Sequence, residues 1–164
     1  MSKETRVLFW VIIIFIIYFI VLPFYKRYDV TPPKNNSLSN LKQIGFGLLM
    51  YAEDHNDIYP EKLEQLKVYF PLKILTSPSK PKDFNEPSYI YISGHSYKDA
   101  KSKEKYIIVY ENTKYLTGYN TEQINVLYLE GYSDRLKKED FLSELKKTYE
   151  HIGKTIPEIK FKVQ

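Results

Sequence analysis

The feature that most constrains this chain is an uninterrupted apolar stretch near its beginning. Residues 7–22 (VLFWVIIIFIIYFIVL) contain no charged side chain, and the segment continues to Tyr25 before the next basic residue. Counted over residues 7–25, a helix of this length extends about 28 Å, close to the thickness of a bilayer's hydrocarbon core. Because a backbone in lipid must pair its N–H and C=O groups within the segment, the stretch predicts a transmembrane helix.

The flanks of this stretch favour a retained anchor over a cleaved signal peptide. The apolar run is longer than a typical signal-peptide core, and no small-residue cleavage site follows it. Basic residues stand on both sides, so their count leaves the orientation open. We therefore predict residues 1–6 as a short N-terminal segment, 7–25 as the membrane helix and 26–36, with two consecutive prolines, as a linker.

The rest of the chain, residues 37–164, is long enough for one domain with a core of its own. The chain has no cysteine, which excludes a disulfide framework, thiolate zinc ligands and a cysteine nucleophile. Its formal net charge of +4 is too small to indicate nucleic-acid binding by itself.

An amphipathic helix is predicted to open this domain at Ser37 or Ser39. Its apolar residues recur at helical spacing and share one face: Leu38, Leu41, Ile44, Leu48, Tyr51 and Ala52. Gly45 and Gly47 lie inside the helix, where each costs about 1 kcal/mol relative to alanine. We expect these glycines to permit close packing.

A short helix, a loop and a sheet are predicted next. The short helix, over residues 61–70, places Leu63, Leu66 and Phe70 on one side, and the proline-rich residues 74–87 form a loop. Three runs rich in β-branched and aromatic residues then predict strands at residues 89–93, 105–111 and 125–130. A tight turn at Glu130 and Gly131 leads into residues 132–136.

A second amphipathic helix is predicted over about residues 137–151. Phe141, Leu145 and Tyr149 share one face, with Leu142 beside them, and Gly153 is the expected stop signal. The tail after Pro157 is expected to be loosely held.

This order of elements resembles the type IV pilin-like and type II secretion G-like proteins, a pseudopilin-type family. The most specific motif is SNLKQIG at residues 39–45, and the runs YIYISG, KYIIVYE and NVLYLEGY follow at similar spacing. The resemblance implies a cytoplasmic N-terminus and an extracytoplasmic domain. It also implies a long N-terminal helix whose second half packs on a small antiparallel sheet.

The chain departs from this family at several positions. Between Arg6 and Leu22 it has neither the glycine nor the glutamate that mark prepilin cleavage and assembly in such proteins. Family members often carry cysteines where this chain has Ser37 and Ser77. The two serines are what is expected if a bridge between helix and loop has been dispensed with. A frequent Asp-Gly-His motif appears here as Glu130-Gly131-Tyr132, which keeps the turn glycine and loses the histidine.

Two acidic loops are the first candidate sites. Calcium favours clusters of oxygen ligands, but neither loop has EF-hand spacing, and both fit solvated turns as well. Their members are Asp54, Asn56 and Asp57 in one loop and Asp83, Asn85 and Glu86 in the other.

Catalysis has a weak basis in the sequence. Gly94-His95-Ser96 puts an imidazole beside a hydroxyl, but neighbours in an extended segment point to opposite faces, and no aspartate is evident to orient the pair. His55, His95 and His151 are too scattered along the chain to predict a metal triad.

Nucleic-acid binding is a stronger alternative function than catalysis. Basic and aromatic residues interleave in one segment, a pattern that can hold phosphates and stack bases, although Asp99 and Glu104 dilute it. A solvated connection between strands explains the same residues: Tyr97, Lys98, Lys101, Lys103, Lys105 and Tyr106.

The sequence therefore predicts an α+β protein: an N-terminal transmembrane helix, a pilin-like helix on a small antiparallel sheet, and a C-terminal helix. We expect a single-pass bacterial inner-membrane protein that assembles with other pilin-like subunits or secretion components, not an enzyme. No catalytic residue, metal site or cofactor is predicted. The alternative is a stand-alone anchored module that binds DNA, a peptide or a glycan.

Overall fold

The computed structural model describes residues 33–101, 105–116 and 122–161. They form an α+β fold built on a four-stranded antiparallel sheet, as predicted. Within these ranges, no helix is long and apolar enough to cross a bilayer. The predicted membrane helix over residues 7–25 and the segment before it lie outside the described residues.

Helix α1 (Pro33–Asp54) begins earlier than predicted. The expected start at Ser37 or Ser39 was wrong, because Pro33 is the first residue of the helix and does not interrupt it. At the first helical position, however, a missing N–H removes no hydrogen bond within the helix, and the fixed backbone angle of proline suits the first turn. The last four residues of the predicted linker are therefore helical.

The predicted apolar face of α1 is the one that meets the sheet. Its central residues are at most 2% exposed: Leu41, Ile44, Leu48 and Ala52. Leu38 and Tyr51 are partly buried. The prediction that Gly45 and Gly47 permit close packing is confirmed, since a Cβ on Gly45 would lie 2.8 Å from the carbonyl oxygen of Gly131.

We expect Gly45→Ala to lower the free energy of unfolding by about 1–2 kcal/mol. Alanine favours a helix by about 1 kcal/mol over glycine, but here its methyl group would also meet Leu127 Cδ1 at 2.9 Å. Overpacking of this kind typically costs about 1–3 kcal/mol and exceeds the gain in propensity. Gln43→Ala, on the exposed side of α1, is the control and should change stability by less than about 0.5 kcal/mol. A stabilised Gly45→Ala protein would contradict the packing at this contact.

The sheet has strand order β1-β2-β3-β4, and every neighbouring pair is antiparallel. All three predicted strand segments are confirmed, the first two as shorter strands and the third shifted by two residues toward the N-terminus. The segment after Gly131 supplies the fourth strand. Gly131 has φ +90, a conformation that glycine adopts without strain, in the turn between β3 and β4. The strands are β1 (Tyr89–Tyr91), β2 (Ile107–Glu111), β3 (Gln123–Tyr128) and β4 (Ser133–Lys137).

Helix α2 (Lys138–His151) covers the second face of the sheet. Alternate residues of β3 divide between two cores: Leu127 packs in the core with α1, whereas Ile124 and Val126 pack with α2. The predicted face of α2 is confirmed, because Phe141, Leu145 and Tyr149 are buried. Gly153 follows α2 with φ +66, consistent with its predicted role as the stop.

The short connecting segments differ from expectation in two ways. The predicted short helix is a 3-10 helix, Leu63–Val68, although Leu63, Leu66 and Phe70 are buried as predicted. The prediction of a loose tail after Pro157 was wrong as far as residue 161. Phe161 packs against the α2 core, and the carbonyl oxygen of Lys160 accepts a hydrogen bond from Thr113 Oγ1 at 2.8 Å.

Candidate functional site

The strongest candidate site lies where the end of α2 meets the connection between β1 and β2. His95 and Asp99 lie in that connection, and His151 is the last residue of α2. One ligand atom from each residue lies within 4.8 Å of the other two. Among the residues that the structure describes, this is the one such group of three histidine or acidic side chains.

Asp99 is held in place by Ser96. The backbone N–H and the hydroxyl of Ser96 donate to Asp99 Oδ2 at 2.7 and 3.0 Å. Partial burial disfavours the charged carboxylate, but these hydrogen bonds and the nearby His151 outweigh it and lower the pKa of Asp99. The second carboxylate oxygen, Oδ1, is left facing His151 Nε2 at 3.3 Å.

His95 is buried without a hydrogen-bond partner. His95 is only 6% exposed, and neither of its ring nitrogens has a hydrogen-bond partner among the described residues. The pKa of His95 is lowered to about 4, chiefly by burial. The Asp99 carboxylate acts to raise this pKa, whereas His151 and Lys154 act to lower it. The imidazole is therefore neutral at pH 7 and keeps a lone pair on one nitrogen.

Aromatic stacking and a cation fix the surroundings of the two histidines. Tyr106 stacks on His151 with ring centroids 4.1 Å apart, and the nearly parallel His95 ring lies 6.0 Å from that of His151. Lys154 Nζ donates to the carbonyl oxygen of Ser93 at 2.7 Å. The chain after α2 is thus tied to the connection that carries His95.

Sequence reasoning missed this cluster because it treated the histidines as scattered. The structure brings His95 and His151 together, whereas His55 stacks on Tyr51 at 3.8 Å in a separate place. The available signal was the His-x3-Asp spacing of His95 and Asp99. The Ser96 hydroxyl donates to Asp99, so the neighbouring serine and histidine do not form a nucleophile–base pair in this structure.

The acidic side chains of the two predicted loops are either bonded to other residues or exposed. Asp54 accepts a hydrogen bond from Tyr69 at 2.6 Å, and Asp57 is exposed in the turn after α1 with φ 64. In the second loop, Lys114 Nζ lies 2.7 Å from Glu86 and lowers its pKa by hydrogen bonding. Asp83 and Asn85 are exposed. Within the described ranges, neither loop contributes to a group of three histidine or acidic side chains close enough to share a metal ion.

In the basic and aromatic segment, residues 97–106, much of the aromatic surface is covered by neighbouring side chains. Tyr106 is buried, and Tyr97 is half-buried with its ring edge against Tyr59. Lys101 lies over the Tyr97 ring, with its Nζ 5.0 Å from the centroid. Lys105 lies similarly over Tyr128 and Tyr132 on the sheet. Lys98 is exposed, and Lys103 lies outside the described residues.

A buried polar network links α1, the proline-rich loop and the sheet. Its centre is Glu111, at the end of β2, which accepts hydrogen bonds from Ser77 Oγ at 2.6 Å, Tyr115 OH at 2.9 Å and Asn125 Nδ2 at 2.6 Å. The Ser77 hydroxyl also lies 3.4 Å from that of Ser37 on α1. Because every member is buried and bonded, this network is suited to stability.

The face of α1 that points away from the sheet carries two large apolar side chains. Phe46 is 67% exposed and Met50 is 50% exposed. Residues four apart lie on the same side of a helix, so the two form one outward surface, which we call the α1 outer face.

Comparison of the chain with protein families, curated proteins and solved structures gives no match.

Proposed function

We propose that this chain is a membrane-anchored, pilin-like protein that acts through assembly. In this proposal, residues 7–25 anchor it in the inner membrane of a bacterium. The domain over residues 37–164 lies on the extracytoplasmic side and contacts other pilin-like subunits or components of a secretion system. Packing between helices and domains is sufficient for this role, so it requires no cofactor.

The α1 outer face is the observation that carries the proposal. The opposite face of the same helix is covered by the sheet, whereas Phe46 and Met50 have no comparable cover within the described residues. Helix α1 also follows the charge-free stretch 7–22 closely in the sequence. A helix with apolar side chains on two sides is suited to packing against its own sheet and against a neighbouring subunit.

The contact between Ser37 and Ser77 is also in keeping with the proposal. The resemblance to pseudopilin-type proteins implies a bridge between helix and loop at these two positions. In this chain their hydroxyl oxygens lie 3.4 Å apart, so a direct hydrogen bond links the same two segments.

Site-specific photo-crosslinking in native membranes tests the assembly role. We expect a photoreactive phenylalanine analogue at Phe46 to give crosslinks to a pilin-like subunit, because this ring points outward from α1. The same analogue at Lys147, an exposed position of α2, is the matched control and should give far fewer crosslinks. Equal crosslinking at both positions would contradict assembly through α1. Crosslinks to DNA or a glycan would favour the alternative of an anchored binding module.

Mass spectrometry of the mature N-terminus tests the anchor. We expect residues 1–25 to be retained in a chain that stays with the membrane after a salt wash. A mature chain that begins after residue 25 would contradict the proposed anchor, whatever the crosslinking shows.

A further inference from the structure

We propose that His95, Asp99 and His151 form a binding site for a divalent transition metal of the zinc type. The site offers two imidazoles and one carboxylate from segments that are distant in the sequence. The site uses neither the apolar stretch nor the α1 outer face. Absence of metal binding there would therefore not contradict the assembly proposal.

The spacing of the donor atoms is close to what a metal needs. Zinc binds nitrogen and oxygen ligands at about 2.0–2.1 Å, so ligand atoms of a tetrahedral centre lie about 3.4 Å apart. The distance from His151 Nε2 to Asp99 Oδ1 is already 3.3 Å. The remaining separations are at most 4.8 Å, so His95 must approach by up to about 1.4 Å.

His95 is the residue best able to make this approach. Rotation of its ring breaks no hydrogen bond to the described part of the chain, since both nitrogens lack a partner there. A buried imidazole left unpaired is costly, because buried polar atoms are normally bonded. A metal ion would supply the missing partner, and the partly exposed side chains of His151 and Asp99 leave a path for its entry.

The surroundings provide the supports that metal ligands commonly have. The two hydrogen bonds from Ser96 orient the Asp99 carboxylate as outer-shell partners do. His151 closes α2, and the partial negative charge at the C-terminal end of a helix favours a cation. The positive charge of Lys154 disfavours a second cation nearby, but its ammonium group is directed at the Ser93 carbonyl oxygen.

The donor set selects the class of metal. Calcium and magnesium prefer oxygen ligands only, whereas imidazole suits zinc, copper, nickel and iron. Three protein ligands leave one position of a tetrahedral centre for water. Bound metal would also link the end of α2 to the connection between β1 and β2, because Asp99 and His151 are 52 positions apart in the chain.

Zinc titration of the purified full-length chain, in detergent and without a histidine tag, tests the site. Competition with a chromophoric chelator should reveal one zinc ion per chain. His151→Ala and Asp99→Asn should each weaken zinc binding by about 100-fold or more, and Ser96→Ala by about 10-fold. His55→Ala is the matched control and should bind zinc as the unaltered chain does.

Circular dichroism of each metal-free variant separates a lost ligand from a lost fold. His151 is exposed, so its alanine variant should keep the spectrum of the unaltered chain. Zinc should also raise the midpoint of thermal unfolding of the unaltered chain but not of folded His151→Ala. Absence of saturable zinc binding would overturn the site, and so would equal affinity in His151→Ala and His55→Ala.

Discussion

Glu111→Leu is expected to lower the free energy of unfolding by about 3 kcal/mol or more. Glu111 is only 1% exposed, and its carboxyl group accepts three hydrogen bonds from Ser77, Tyr115 and Asn125. Leucine accepts none of them. A buried donor that loses its acceptor costs about 1–3 kcal/mol. Tyr115 keeps an alternative acceptor in the Ser88 carbonyl oxygen at 3.2 Å, and Ser77 keeps a longer one in Ser37 Oγ at 3.4 Å.

The matched control for this prediction is Glu86→Leu. Glu86 is exposed and paired with Lys114, and an exposed ion pair is worth at most about 1 kcal/mol. Glu111→Gln, which keeps one of the two acceptor oxygens, should fall between the two leucine variants. Urea unfolding followed by circular dichroism is the suitable measurement, because the only tryptophan, Trp10, lies in the apolar stretch. Equal losses for the two leucine variants would show that the network contributes nothing to stability.

The parts of the fold that the sequence predicted are those with a strong local period. The apolar faces of α1 and α2 repeat at helical spacing, and β2 and β3 are rich in β-branched and aromatic residues. β2 and β3 are buried throughout apart from Gln123, because α1 covers one face of the sheet and α2 the other. Periodicity alone could not show that the sheet has a helix on both sides.

What the sequence could not show depends on contacts between distant segments. Glu111 ends a strand-like run, where an acidic residue is ordinarily a boundary facing solvent. Its burial depends on Ser77 and Asn125, which are 34 and 14 residues away. The start of α1 was missed for a local reason, because a proline at the first helical position costs little.

The candidate metal site shows the same limit. His95 and Asp99 are four residues apart, but the third member, His151, comes from the other end of the domain. It reaches them because Phe141 and Leu145 fix α2 on the sheet and so place the last turn beside the connection after β1. A histidine count cannot reveal this convergence without the packing of α2.

Oxidised Ser37→Cys/Ser77→Cys protein is expected to be about 4 kcal/mol more stable than the same protein reduced. The two hydroxyl oxygens are 3.4 Å apart, so small side-chain rotations should bring two sulfurs to bonding distance. The positions are 40 residues apart in the chain. Closing a loop of that length lowers the conformational entropy of the unfolded state, which raises the free energy of that state by about 4 kcal/mol. Urea unfolding with and without reductant measures the difference.

Comparing the two redox states of one variant removes the effect of the substitutions themselves. Loss of the Ser77 hydroxyl weakens the Glu111 network in both states, so it cancels in the difference. The single variant Ser77→Cys is the control and should show no dependence on reductant. If the double variant keeps two free thiols under oxidising conditions, the close approach of α1 to this loop is wrong. If the bridge forms, these serines occupy positions where a covalent link between helix and loop is geometrically allowed, as the pseudopilin-type resemblance implies.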